Sequence, residues 1–219
     1  MSVALAAQLR EGTKKSHTMA ENTGFVSCFL KGVVDKASYR KLVADLYFVY
    51  TAMEEEIAKL GDHPVVGPVG MKELNRSEAL EQDLTYYFGA NWKEEIKPSP
   101  SAAAYVERIH AVAQDSPELL VGHHYTRYLG DLSGGQILKN IAQKAMNMVG
   151  DDGLRFYVFD DIADGRFGPL NHTHNHLLGY SSGGFWVSRM IAESSGALRT
   201  HSGRAWPEIA SGVMLCAGS

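Results

Sequence analysis

The sequence predicts an all-α protein, and three observations carry that prediction. Apolar residues recur at spacings of three and four through most of the first 150 residues. Helix start and stop signals punctuate those stretches. Alternating β-branched runs bounded by turns are scarce. The apolar patch Phe156 to Phe159 is the main exception, and it is too short to make a sheet alone. A chain of 219 residues with 45% hydrophobic content can bury one sizeable core.

The first helix carries Arg10, Lys14, His17 and Glu21 at i, i+4, i+7 and i+11, on one face. The next is the clearest: Tyr39, Leu42, Val43, Leu46, Tyr50, Met53, Ile57 and Leu60 form one apolar stripe over residues 37–60. Asp35 is its N-cap, Gly61 its stop, and Pro64 follows. Asn75 with Glu78 predicts a capping box opening a helix to about Phe88, closed by Gly89. Ser99 with Pro100 predicts a cap and a proline in the first turn, and Tyr105, Ile109 and Val112 line one side of that helix. Ser116 with Pro117 repeats the signal and opens a long run through about Met148, stopped by Gly150 and Asp151.

Composition changes near Asp164. Residues 165–219 hold nine glycines, eight serines, four histidines and no lysine, with four arginines against two glutamates. The first 164 residues hold 23 acidic and 17 basic side chains. Residues 1–164 are therefore expected to form the domain and 165–219 an atypical tail. The tail reads like another frame, and a frameshift or similar event that replaced the native C-terminus is the expectation, with a natural divergent tail as the alternative. The coding sequence and intact mass test it.

Bulk properties exclude some classes. A net charge of −4 predicts no nucleic-acid partner. Cys28 and Cys216 make no disulfide framework, which favours a reducing compartment. The apolar run Val3 to Ala7 lacks the features of a signal peptide, and no stretch approaches the roughly 18 apolar residues of a membrane span. A cytoplasmic location away from membranes is expected.

Two segments can carry chemistry. In the first, a neutral His17 imidazole is a metal ligand, and Glu21 one turn away can accept its other ring proton. Lys14 and Arg10 could pair with ligand carboxylates, a set that suits haem. The alternative is a solvated charged face. The second runs from Tyr125 to Gly135. Gly130 and Gly134 share a face, although each glycine costs a helix roughly 1 kcal/mol against alanine. A helix keeps such glycines where it bends or where backbone must approach closely, either to a flat ligand or to another helix. Asp131 beside them could hold water or accept a bond from Arg127 or Tyr50. His123 and His124 are expected as core or surface histidines before ligands. Glu54-Glu55-Glu56 is expected to be solvated, with one member paired. His172, His174 and His176 alternate without an acidic or cysteine partner, so no further metal is expected.

Thr13 through Asn22 resembles the proximal-helix motif of haem oxygenases, and Glu118-Leu119-Leu120 running into Tyr125 through Gly135 resembles their distal-helix motif. Glu81 to Leu84 and Leu46 to Glu56 fit as well. The resemblance covers about residues 4–164 and looks closest to the soluble cyanobacterial and algal forms. It implies a single-domain helical fold with haem between a proximal and a distal helix. It implies His17 as axial iron ligand, with Glu21 on its far nitrogen and Arg10 and Lys14 near the propionates. Gly130, Gly134 and Gly135, with Tyr125 and Thr126, would lie along the haem face, and Asp131, Tyr50 and Arg127 would form the network that delivers protons. Haem would be both cofactor and substrate, opened with dioxygen and an external donor such as ferredoxin to biliverdin, carbon monoxide and ferrous iron. An algal origin would put the protein in the plastid stroma. The family continues with two further helices whose pattern is not found after Asp164. A haem binder without turnover, or a destabilised family member, are the other readings.

Overall fold

The computed structural model describes residues 18–19 and 21–159. His17, Arg10 and Lys14 lie outside the described residues, as does the tail. Among the described residues the chain is helical and forms no strand. A helical turn at the start is visible in Asn22 N bonding back to Thr18 O at 3.2 Å.

Seven helices follow: α1 Gly24–Leu30, α2 Lys36–Lys59, α3 Ser77–Phe88, α4 Trp92–Glu95, α5 Pro100–Asp115, α6 Leu120–Ser133 and α7 Gly135–Ala145. Helix α2 is the spine. Six of its eight predicted stripe residues are buried (Tyr39, Val43, Leu46, Tyr50, Met53 and Ile57), and Leu42 and Leu60 pack at the margin. The stripe predicts a helix that must bury one face, and α5 and α3 lie along that face. Each fully buried aliphatic side chain is worth about 1.5–3 kcal/mol. Asp35 caps α2 by accepting from Ser38 N at 2.9 Å. Ser99 caps α5 by accepting from Ala102 N at 3.2 Å, and Tyr105, Ile109 and Val112 are buried.

Three local expectations need correction. Asn75 does not cap α3. Arg76 occupies the cap position with no side-chain cap bond of its own. Glu54 of α2 supplies the acceptor, taking Arg76 N at 2.5 Å and Ser77 Oγ at 2.5 Å. A carboxylate from a neighbouring helix satisfies orphan N–H groups as well as a local side chain does. Glu54 is thus no solvated member of its acidic run, whereas Glu55 is exposed. Glu56 pairs with His110 and with Lys59, each at 2.8 Å.

The run from Pro117 to Met148 is not one helix. It opens as a 3-10 turn, Pro117–Leu119, where Ser116 makes no side-chain cap bond. It breaks at Gly134 between α6 and α7, the point where two adjacent glycines weaken the helix most. It ends at Ala145, because Asn147 turns into the left-handed region (φ 51°) and lets Met148 N reach Gln143 O at 2.9 Å. The Phe156 patch becomes a 3-10 turn, Arg155–Tyr157, buried against α3 and α7.

Candidate functional site

Helices α2 and α6 meet where both carry polar groups on a buried face. Tyr50 is fully buried, and its hydroxyl donates to Asp131 Oδ2. The Arg127 guanidinium sits one turn before Asp131, 5.4 Å from the centre of the Tyr50 ring. Burial pushes the Asp131 carboxyl up to about 6, against the lowering effects of Arg127, the Tyr50 bond and Arg76. The Tyr50 hydroxyl is held well above its ordinary range by burial and by the neighbouring Asp131 charge, so it remains a donor. A carboxyl with a value near neutrality and a fixed donor can take up and release a proton at working pH.

A second carboxylate lies behind the first. Tyr128 packs edge-on to Tyr50 with centroids 5.3 Å apart. The Tyr128 hydroxyl donates to Glu54 Oε1 at 2.9 Å. Through Glu54 the cluster reaches the start of α3. Arg76 there is buried and spends its guanidinium on carbonyls: Leu74 O at 2.9 Å, Val158 O at 2.5 Å and Glu73 O at 3.3 Å. His124 stacks on Tyr128 at 4.3 Å, and His123 shares a hydrogen bond with Tyr105 Oη at 3.0 Å. Desolvation brings His123 down to about 4, with Arg108 adding to it, and His124 down to about 3, so both are neutral core histidines.

The glycines separate into two kinds. A Cβ at Gly135 would stand 3.1 Å from Tyr157 Cδ1, so Gly135 is a packing glycine against the Arg155–Tyr157 turn. A Cβ at Gly130 would meet no described atom within 4 Å, and Gly130 is exposed. At Gly134 it would meet only the helix's own Gly130 carbonyl, at 3.3 Å. Thr126 turns its hydroxyl back onto Gly122 O at 2.8 Å, and Tyr125 is half-buried. Glu21 is exposed at the start of the described chain.

Sequence reasoning brought Tyr50, Arg127 and Asp131 together and missed Glu54, Tyr128, Arg76 and Asp83. Three had a readable signal. Glu54 is four residues after Tyr50, on the same buried face of α2. Arg76 and Asp83 are seven apart and flank the buried Leu80, so two charges sit on an apolar face. Among the described residues, no group of three histidine, cysteine or acidic side chains is placed to hold a metal ion. No helix among them is long and apolar enough to cross a membrane.

The arrangement has counterparts. The family model described as heme oxygenase matches residues 3–169. Heme oxygenase 1 of a Synechocystis strain is 66% identical over 164 residues, 75% of this chain and 68% of its own. The heme oxygenase of the red alga Pyropia yezoensis is 59% identical over 162 residues, 74% of this chain and 68% of its own. The crystal structure of the Synechocystis heme oxygenase-1 in complex with heme matches with a TM-score of 0.76 at 50% identity, covering 97% of this chain and 86% of that one. On this evidence, and with a helical architecture to match, the chain belongs to the haem oxygenase family.

Proposed function

We propose that the protein takes haem as its substrate and opens it oxidatively, with dioxygen and an external reductant, to biliverdin, carbon monoxide and ferrous iron. The observation that carries this reading is the Tyr50 hydroxyl donating to an Asp131 carboxyl held near neutrality, on the same helix as Gly130 and Gly134. A flat macrocycle needs backbone it can lie against, and two glycines four apart put no Cβ on that side of the helix. The residues present therefore fit the group. Gly130, Gly134 and the half-buried Tyr125 would border it, and His17 with Glu21 would hold its iron from the other side, as the sequence resemblance implies. Arg10 and Lys14 would pair with its carboxylates. When bound, haem supplies the iron at which dioxygen is activated and the ring that is cut.

The chain's own contribution is proton handling. Asp131 holds or yields a proton at Oδ2, Tyr50 fixes that oxygen by donating to it, and Arg127 favours the ionised form. Tyr50 itself is fully buried, with Tyr128 and Phe156 packed edge-on to its ring, so its hydroxyl is held in place. An electron donor of the ferredoxin type, and a cytoplasmic or plastid setting, fit relatives from cyanobacteria and red algae. A domain over residues 1–164 with 165–219 as an atypical tail is in keeping with a family model that covers residues 3–169.

The test is the absorbance spectrum of the full chain with one equivalent of haemin, before and after a reductant is added in air. A Soret band that decays into a biliverdin spectrum is expected, with the band lost in His17→Ala. A band that persists demotes the protein to a haem binder. A spectrum of free haemin removes the reading.

A further inference from the structure

Asp83 is fully buried in α3, and no role in the site has yet been given to it. Both of its oxygens are used on one object: Oδ1 accepts from Arg155 N at 2.8 Å and Oδ2 from Phe156 N at 2.9 Å. The object is the Arg155–Tyr157 turn, which is wedged behind the polar cluster. Phe156 packs edge-on to the Tyr50 ring with centroids 5.3 Å apart. Tyr157 fills the space that Gly135 leaves, and Gln136 Nε2 donates to Tyr157 O at 2.7 Å. Arg76 pins the far end through Val158 O and lies 3.8 Å from the Phe159 ring centre.

We infer that Asp83 is a positioning residue for the haem face: by clamping the Arg155–Tyr157 turn it sets the place of Tyr50 and of the α6–α7 break that presents Gly130, Asp131 and Gly134. The physical argument is the choice of acceptor. A two-residue span of backbone N–H groups could be satisfied by water at a surface. Here the turn is buried, so an unsatisfied N–H would cost about 1–3 kcal/mol. A carboxylate with two free oxygens satisfies both donors and fixes the turn in two directions, which a single acceptor cannot do. The turn's other contacts run to Tyr50 and α7, so a displacement there moves both sides of the cluster. That the face so positioned is for haem rests on the proposed function; the clamp itself does not.

The experiment is amide hydrogen exchange on the apo full-length chain, followed by haemin titration. In Asp83→Asn one acceptor oxygen is replaced by a donor that faces an N–H. Exchange across residues 131–138 and 154–159 is expected to speed at least fivefold, with residues 100–115 unchanged. Gln136→Ala cuts the link between turn and α7 and leaves the clamp alone; 131–138 should speed while 154–159 holds. If Asp83→Asn does not fold, Asp83→Glu, which keeps both acceptor oxygens but displaces them by one methylene, is read in its place, and the same two spans should speed. With haemin bound, Asp83→Asn should shift the midpoint pH of the ferric complex's acid–alkaline transition by at least 0.3 units. Ile109→Val, a core change in α5 away from the turn, should not. Unchanged exchange over 131–138, a uniform rise that includes 100–115, or a midpoint that moves no more than in Ile109→Val overturns the inference. Absence of a haemin spectrum in the wild type defeats the functional reading instead, and the exchange result still judges the clamp.

Discussion

Replacing Gly130 with alanine should stabilise the apo protein and impair the enzyme, and the two effects come from the same atom. Gly130 is in the interior of α6, where glycine is about 0.8–1.0 kcal/mol less favourable than alanine. The added Cβ meets no described atom within 4 Å, so no clash with the described residues offsets the gain. For a chain of this size 1 kcal/mol moves Tm by roughly 2–4 °C. With haem against that face the methyl group intrudes. Overpacking costs about 1–3 kcal/mol, which weakens binding roughly 5- to 150-fold. Circular dichroism melts of apo Gly130→Ala and wild type give the first quantity, and haemin titration with turnover gives the second. A Tm that falls would refute the reasoning, because it would mean that a protein segment packs on Gly130. Unchanged haemin affinity would mean that haem does not lie there.

The neighbouring glycine should behave oppositely. Gly135→Ala drives a Cβ to 3.1 Å from Tyr157, so overpacking offsets the helix gain and the apo Tm should drop by a few degrees. Tyr50→Phe removes a donor that lowers the Asp131 pKa, so that value rises above about 6. The acid limb of turnover should move to higher pH, and a pH–rate profile checks it. His124→Phe keeps the stacking on Tyr128 and removes a buried imidazole held down to about 3. A depressed histidine loses stability as pH falls below its unfolded value near 6.5. Relative to wild type the variant should therefore gain about 1 kcal/mol between pH 7.5 and 5.5, read by denaturant melts at both.

What was legible in the sequence was whatever depends on local pattern. The α2 stripe, its Asp35 cap and the Ser99-Pro100 start of α5 were all readable, because period, cap and stop signals act within a few residues. The site was half legible for the same reason. Gly130, Asp131 and Gly134 announce themselves by three glycines in a helix, and Tyr50 by resemblance. Glu54 was hidden because its partners, Arg76 N and Tyr128 Oη, are 22 and 74 residues away. Its acidic run reads as solvent-facing unless the i+4 relation to Tyr50 is weighed first. The Asn75 cap failed in the same way: a local box was outcompeted by a carboxylate from another helix. The break at Gly134 is half visible, since the glycines allow a bend there while the helical pattern runs on to about Met148 as one element. Whether a glycine leaves room for a ring, as Gly135 does for Tyr157, or for something outside the described chain, as Gly130 does, depends on tertiary neighbours.

The composition changes after Asp164, and the chain on either side of that point can be tested separately. The groups that set the proton chemistry of Asp131 include Tyr50 from α2, Arg127 from α6 and Arg76 at the start of α3. The family's two further helices, by resemblance, supply propionate cations and apolar closure, which govern how long haem stays. Retention and chemistry should therefore separate. A chimera that keeps residues 1–164 and takes the remainder from the Synechocystis relative should release haemin at least tenfold more slowly than this chain. The acid limb of its turnover, set by Asp131, should stay within about 0.3 pH units. Haemin transfer to an excess of apomyoglobin measures the first, and a pH–rate profile the second. If instead the acid limb moves while release is unchanged, residues beyond 164 reach the Asp131 cluster, and the division of labour argued from Tyr50, Arg127 and Arg76 is wrong.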